Sequence, residues 1–489
     1  MNKLRSYLLI IFNVLFLVFM VYLTKVAMFG STMWNRLNPS IIIIFAILLL
    51  LCLISITYLL RNVKKKNLII ISLISFVILV AIQLFFAIKF KVTPGWDFGV
   101  LYNEGIDIAN GSTTLSPYFY AKYPNNIGAG LLFGFLYKFF NMFNIPHLEG
   151  SIIFNLIIID FSLIILYLFI SKLYSFKIAT VTSLLILLIT PFYTYVPIFY
   201  TDTLSMIFPV LCFYLYYLYR TKENKTILSY IYLILIGILL PIGVALKTNI
   251  IISYIALMIF ILFTTPKLKE ILKPVIIISV LVYATHFGIN AYFQKWIPIP
   301  LSEAGFPPTH WIMMGLNDYG GYNEKDVQNT IKAGNREAQK EMNISVIKER
   351  LNNYSKNGFS TFINKKLQYT WANGAYFGEQ LLGRKIIHPF KLNDYISGNK
   401  NKPFLYLSSI SHVTMLILIV LSSISMFFKK DTFGYLFNIL IFGTGLFLLI
   451  WEANSRYLVC ILPILLCSAS GGLDYISKLF NKNTKKKLS

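Results

Sequence analysis

The chain has 489 residues, of which 57% are hydrophobic, 16% aromatic and 13% charged, with a formal net charge of +24 from 44 Lys and Arg against 20 Asp and Glu. The apolar residues arrive in runs of about 20, the length that crosses a bilayer, which excludes a cytosolic enzyme, a secreted disulfide scaffold and a disordered chain. The basic excess falls in short clusters between those runs, where it orients a membrane protein and does not imply nucleic acid; Cys52, Cys212, Cys460 and Cys467 all lie inside apolar runs as small hydrophobes.

The first run, about Leu8 to Phe29, follows Lys3 and Arg5. It is too long for a signal-peptide core, lacks a small-residue cleavage site, and reads as a retained signal anchor. Further spans are expected near 41–60, 68–90, 151–170, 178–196, 203–219, 227–244, 249–264, 274–294, 405–428, 432–450 and 457–475. Basic clusters stand at Lys3/Arg5, Arg61 with Lys64–Lys66, Lys172/Lys177, Arg220/Lys222/Lys225, Lys267/Lys269/Lys273, Lys429/Lys430 and Lys485–Lys487. Twelve spans with both termini cytoplasmic place all of these inside. Residues 126–143 (NIGAGLLFGFLYKFFNMF) are long enough to form a thirteenth. That crossing would invert the parity, and the segment carries Lys138 and Asn141 among aromatics, so an interfacial helix on the outer leaflet is expected.

The expected fold is an all-α membrane protein, a bundle of about twelve transmembrane helices with extracytoplasmic juxtamembrane helices. It divides into N-terminal spans (1–90), a first external loop (91–150), a transmembrane core (151–294), a second external loop (295–404), and C-terminal spans with a basic cytoplasmic tail (405–489). The second loop opens on Pro298, Pro300, Pro307 and Pro308, then His310-Trp311. A helix is expected over about Glu324–Tyr354, with Met342, Val346 and Leu351 as its apolar positions. Another runs from Gly358 to Trp371, where Phe359, Phe362, Ile363, Leu367 and Trp371 form a stripe beside Lys365 and Lys366. No strand alternation and no fixed-period repeat is visible, so no separate external domain is expected. With its polar mass on one side, the chain is expected to work at the outer face.

Asp97, in Pro94-Gly-Trp-Asp97, stands seven residues beyond the third span. Partial desolvation at the edge of a bilayer makes a carboxylate more basic toward a hydroxyl. An aspartate before a helix is also a common N-cap, and residues alone leave both readings open. Asp160, near the middle of a span, suggests a hydrogen-bonded partner inside the bundle. His286, in the 274–294 span, reads as a packing histidine.

Asp97, the aromatic-rich helix after it, Gly111 and then Lys122-Tyr-Pro124-Asn125-Asn126 opening an interfacial helix together resemble the GT-C superfamily of polytopic glycosyltransferases. Tyr200-Thr-Asp202-Thr-Leu is similar to that superfamily's second aspartate at the outer start of a later span, and Glu452-Ala-Asn-Ser-Arg456-Tyr457 to its late arginine-tyrosine element. The His310-Trp311 segment resembles related bacterial surface-polysaccharide and mannosyltransferase-like proteins. The two extra spans before Asp97 depart from the commonest arrangement.

The resemblance implies an inverting enzyme that moves a sugar from a polyprenyl-phosphate carrier to a hydroxyl of a surface glycan, a teichoic acid or a protein. Asp97 would be the catalytic base. Asp202, Lys247, His310, Glu452 and Arg456 would bind substrate, with Arg456 a fork to the lipid phosphate and Lys247 a point charge. An interface anchor is the competing reading for Arg456 and Lys247, a surface histidine for His310. No ligand-spaced metal cluster is visible; Asp97 and Asp202 sharing a divalent ion stays open. Two other functions compete: a transporter or flippase of lipid-linked sugars, which should show broken helices and midplane polar residues, and a polysaccharide polymerase or ligase.

Overall fold

In a bilayer every backbone N–H and C=O must be satisfied within the chain, and an apolar chain does so by forming helices. The structure, a computed structural model, describes residues 3–30, 36–222, 226–428 and 433–486, and these are almost wholly helical. Lys225, Lys429, Lys430 and Lys487 of the basic clusters lie outside the described residues. The chain begins with α1 (Lys3–Phe29), α2 (Pro39–Leu59) and α3 (Lys65–Lys89), then α4 (Trp96–Ala109) and α5 (Ile127–Met142). The core follows with α6 (His147–Leu173), α7 (Phe176–Ile186), α8 (Pro191–Thr194), α9 (Thr201–Leu204), α10 (Ile207–Thr221), α11 (Ile227–Leu246), α12 (Ile251–Thr264) and α13 (Leu268–Phe293). The second insert holds α14 (Pro308–Gly315), α15 (Glu324–Lys332), α16 (Arg336–Asn357), α17 (Phe359–Trp371), α18 (Gly378–Leu382) and α19 (Asn393–Ile396); α20 (Lys402–Ser425), α21 (Gly434–Ile450) and α22 (Leu462–Lys486) close the bundle.

Among the described residues nine helices are long and apolar enough to cross a bilayer, and three shorter apolar helices accompany them. These elements fall where the twelve spans are expected, with one correction. The 178–196 segment is not a continuous span: α7 ends at Ile186 and regular helix resumes only at Thr201, with α8 between. Every residue from Ile189 through Met206 is buried. Irregular backbone survives at this depth only when other protein groups satisfy it. Asn155 of α6 donates to the carbonyls of Tyr195 (2.8 Å) and Val196 (3.0 Å), and Gln83 of α3 donates to that of Phe192 (3.0 Å).

The two ends of the bundle differ in character. At one end Arg5 donates to the Thr265 carbonyl (2.7 Å), Arg220 to Thr264 Oγ1 (3.0 Å) and Lys177 to Ser477 Oγ (2.6 Å). At the other, the two large inserts meet: Lys91 pairs with Glu149 at 2.7 Å, Val92 bridges to Ile386, and Leu115 N donates to the Trp296 carbonyl. The helix α5 begins and ends at this second end. Its N-cap Asn126 reaches Tyr118 beside Asp97, and the turn after Met142 leads straight to Glu149, which holds Lys91 at the end of α3. Both of its termini therefore lie at the same end of the bundle. It packs on α4 through small residues: a Cβ on Gly134 would lie 2.5 Å from Ile108, and one on Gly105 2.7 Å from Tyr137.

In the second insert the expected 324–354 helix is two helices, α15 and α16, separated at Gly334, whose φ of +86° suits glycine. Leu351 is exposed and does not serve as an apolar contact; the two helices are tied instead by Arg350, which grips both oxygens of Asp326 at 2.7 and 2.9 Å. The stripe of α17 is present in Phe362, Leu367 and Trp371, but Phe359 is exposed and Lys366, placed beside the stripe by periodicity, is fully buried.

Relative topology is testable by impermeant thiol labelling in vesicles. A cysteine replacing exposed Phe135 of α5 should label from the same side as one replacing Glu303, and from the side opposite to Lys269→Cys. A position 135 that labels from neither side, as the middle of a spanning helix would, would mean that α5 crosses.

Candidate functional site

The backbone that presents Asp97 is unusual. Trp96, the first residue of α4, has φ of +46°, and a bulky side chain adopts that conformation only where its surroundings enforce it. Gly99 closes the turn, donating to the Gly95 carbonyl at 2.8 Å, and a Cβ there would lie 2.8 Å from Pro94 O. Asp97 is consequently half-buried in the first turn of α4, and no side-chain cap bond is made at that helix start. Its carboxylate is engaged from across the loop: Tyr118 OH donates to Oδ1 (2.8 Å) and Tyr200 OH to Oδ2 (3.4 Å). Asn126 donates in turn to the Tyr118 oxygen at 2.9 Å. Burial, then the charge of Asp97, raises both tyrosines above their ordinary range, so both stay protonated donors. The N-cap reading of Asp97 is thus replaced by a carboxylate oriented by two phenols.

The second aspartate anchors a cluster of cations. Tyr200 is the N-cap of α9, which puts Asp202 in the first turn, where the helix dipole favours an acid. Asp202 is 1% exposed, and its Oδ1 takes a 2.7 Å bond from Lys247, the residue that ends α11. Arg456 Nε lies 4.0 Å from Oδ2. The guanidinium is ringed by Trp96 (5.1 Å), Tyr200 (5.2 Å) and Tyr457 (5.3 Å), and its buried Nε has no hydrogen-bond partner among the described residues. Lys247 also sits 4.8 Å from the Tyr457 ring. Neither cation is a lone interface anchor; both converge on the floor beneath Asp97.

Glu452 joins the same cluster, buried, accepting from Tyr457 OH at 3.0 Å. Burial, opposed in part by Arg456, pushes its carboxyl up to about 7. The loop it stands on is held by Asn454, whose Oδ1 accepts from Arg456 N (3.0 Å) and whose amide donates to Tyr369 OH (3.1 Å). Arg384, absent from the sequence reading, lies 5.4 Å from the Trp96 ring, on which Arg456 also rests. Burial and then Arg456 lower it from its ordinary value. Trp96, Tyr118, Asn126, Tyr200 and Arg384 were all missed; only the density of aromatics around Asp97 hinted at them.

Other candidates stand elsewhere. His310 is fully buried inside the insert, its Nδ1 2.7 Å from Thr330 Oγ1 and its ring on Phe306. Burial drives it down to about 4, so it is a neutral packing group; among the described residues no contact links it to Asp97 or Arg456, a correction to its expected substrate role. His286 is exposed on α13, 2.9 Å from Asn290. Asp160 is buried with Oδ1 unpartnered. A metal shared by Asp97 and Asp202 does not fit: the Lys247 ammonium already occupies Asp202, and among the described residues no three His, Cys, Asp or Glu converge.

A bundle of bilayer-length apolar helices, with buried charges gathered at one end, defines a multi-pass integral membrane protein. The chain belongs to the family described as conserved hypothetical integral membrane protein, whose model matches residues 1–475. Comparison with curated proteins and with solved structures gives no match.

Two outcomes follow. Lys247→Met leaves Asp202 buried with only the more distant Arg456, and should cost about 3–5 kcal/mol, read as a lowered unfolding midpoint in detergent; replacing Asp202 as well, with Asn, should restore part of it. Glu452 is neutral below about pH 7 and charged above it. A carboxyl raised in the folded state should therefore cost stability as pH rises from about 4.5 through about 7. Glu452→Gln should flatten that part of the pH dependence of the unfolding midpoint in detergent.

Proposed function

We propose that the protein is an inverting glycosyltransferase of the GT-C type, transferring a sugar from a polyprenyl-phosphate carrier to an acceptor hydroxyl at the outer face of the cell membrane. The observation that carries this reading is the juxtaposition of Asp97, aimed by two phenols, with a buried cation floor in which Lys247 and Arg456 meet at Asp202. Around Asp97 stand Lys247, Arg456 and Arg384 against Asp202 and Glu452, and burial raises the Glu452 carboxyl to about 7. Such a floor suits an anion. It leaves Asp97 free of any cation bond, available to take a proton.

In the proposed reaction Asp97 accepts the proton of the acceptor hydroxyl as its oxygen bonds to the anomeric carbon. The bond from that carbon to the phosphate oxygen breaks, and the phosphate leaves with the electron pair. A phosphate needs no protonation to depart, only countercharge, which Arg456 and Arg384 supply in a low-dielectric setting. Attack opposite the leaving group inverts the anomeric centre. The acceptor is a wall glycan, a teichoic acid or a protein. The short loops at the far end of the bundle, such as those with Arg61 and Lys64–Lys66 and with Lys267, Lys269 and Lys273, carry a basic bias that supports an outward-facing site and cytoplasmic termini.

One observation favours a transporter instead, the discontinuity between α7 and α9. Yet the broken segment is packed solid. The cavity beside it, about 280 Å³ between α3, α6 and α7, is lined chiefly by apolar groups such as Leu73, Phe76, Leu79, Leu163 and Ile170, a poor path for a sugar.

Reconstituted with farnesyl-phosphoryl-glucose and an alkyl-glycoside acceptor, alongside the mannosyl donor, Asp97→Asn should lose roughly 100-fold or more in transfer with an unchanged unfolding midpoint. Arg456→Ala should weaken donor use. Transfer by Asp97→Asn at the parent's rate would remove the base, and with it the mechanism.

A further inference from the structure

The segment 451–456 carries Glu452 and Arg456, and the second insert holds it at Trp451, Ala453 and Asn454. Lys366 of α17 donates through Nζ to the Gly315 carbonyl, where α14 ends, and to the Trp451 carbonyl, where α21 ends, at 2.8 Å. Ala453 N donates to the Gly320 carbonyl at 2.7 Å. Asn454 reaches Tyr369 OH, and Trp451 lies parallel to Trp311 with ring centres 6.4 Å apart. The fit is close: a Cβ on Gly315 would lie 2.6 Å from Ile450 O, and one on Gly320, with φ of +77°, 2.5 Å from Lys366 Cδ.

Lys366 is the unusual member. A fully buried ammonium ordinarily faces a carboxylate, but among the described residues no acid lies within ion-pair distance of it. Its partners are the carbonyl ends of two helices, where dipoles and unpaired lone pairs both favour a cation. We propose that Lys366 is a positioning residue, whose ammonium joins the C-terminal ends of α14 and α21 and so sets the place of Glu452 and Arg456 in the site. Through Lys366 the insert shapes the anion floor at a distance, in addition to the Arg384 it contributes directly. Its bearing on donor binding rests on the function proposed above; its hold on the 451–456 segment does not.

Two measurements on the full-length protein in nanodiscs test this. The first is hydrogen exchange of the peptide spanning 451–457. Lys366→Met should exchange faster there while α20 and α22 keep the parent's protection, and Lys366→Arg, which keeps the charge, should restore part of it. The second is affinity for farnesyl-phosphoryl-glucose, expected to fall about tenfold in Lys366→Met with the unfolding midpoint within a few degrees of the parent. Should Lys366→Met fail to fold, Lys366→Gln is read in the same way, and Lys366→Arg, unable to thread both carbonyls, should show a smaller effect in both measurements. Parent-like exchange at 451–457 overturns the proposal, as does parent-like affinity in Lys366→Met while Arg456→Ala still loses binding. If Arg456→Ala also binds as the parent does, the donor reading fails, and faster exchange in Lys366→Met would still support the structural tie.

Discussion

Most of what distinguishes this bundle from a sheaf of apolar helices follows from one constraint, the burial of Asp202. A carboxylate that is 1% exposed, at the level where helices end, is tolerated only if cations come to it. Lys247 and Arg456 do so, from the end of α11 and the segment before α22, elements far apart in sequence. Their convergence fixes three parts of the chain at one point. It also places two positive charges in a low-dielectric setting, where they act far more strongly than at a wet surface. Only one of the two is tightly paired, Lys247 at 2.7 Å, while Arg456 stands 4.0 Å from the carboxylate.

Asp202 can lie there only because the chain abandons helical geometry before it. A straight span over 178–196 would have to carry its polar backbone through regularly; the actual path uses short turns and α8, with Asn155 and Gln83 satisfying the exposed carbonyls. Asn155 also accepts from Thr203 Oγ1 at 2.6 Å, tying the start of α9 to the same amide. A single side chain on α6 thus serves both the broken segment and the helix end that presents the aspartate. These groups belong to the interior of the fold, but they decide where a charge stands in the site.

Much of the fold was legible because its causes are local or additive. Runs of apolar residues reveal spans and charge bias reveals parity; parity, with Lys138 and Asn141 in the segment, led to an interfacial α5, and its contacts with Tyr118 and beside the Glu149–Lys91 pair put both of its ends at one end of the bundle. Asp97, Asp202, Lys247, Glu452 and Arg456, picked out one by one, are brought together. What escaped the sequence was long-range. Lys366 carries the pattern of a polar-face residue on α17, and its burial depends on carbonyls at Gly315 and Trp451 that no periodicity announces. Arg384 sits in an undistinguished Gly-Arg-Lys stretch and gains meaning only through Trp96. The break after Ile186 was invisible because a buried irregular segment is as apolar as a helix. His310 failed for the opposite reason: a histidine beside a tryptophan looks functional, whereas Thr330 and Phe306 had already claimed its ring.

The two inserts are interdependent, and Trp96 shows why. Its positive φ costs free energy, and within the first insert its ring meets only Phe98 among the described residues, at 5.9 Å. The compensation comes from elsewhere: Arg456 from the last helices and Arg384 from the second insert both rest on its ring, while its edge meets Tyr200 at 5.1 Å. The bridge between Val92 and Ile386 brings the two inserts side by side just before these residues. Trp96 can hold its strained backbone, and so aim Asp97, only when the second insert and the final helices are docked. The carboxylate and the cation floor are therefore assembled by the same contacts, and an isolated first insert would possess neither.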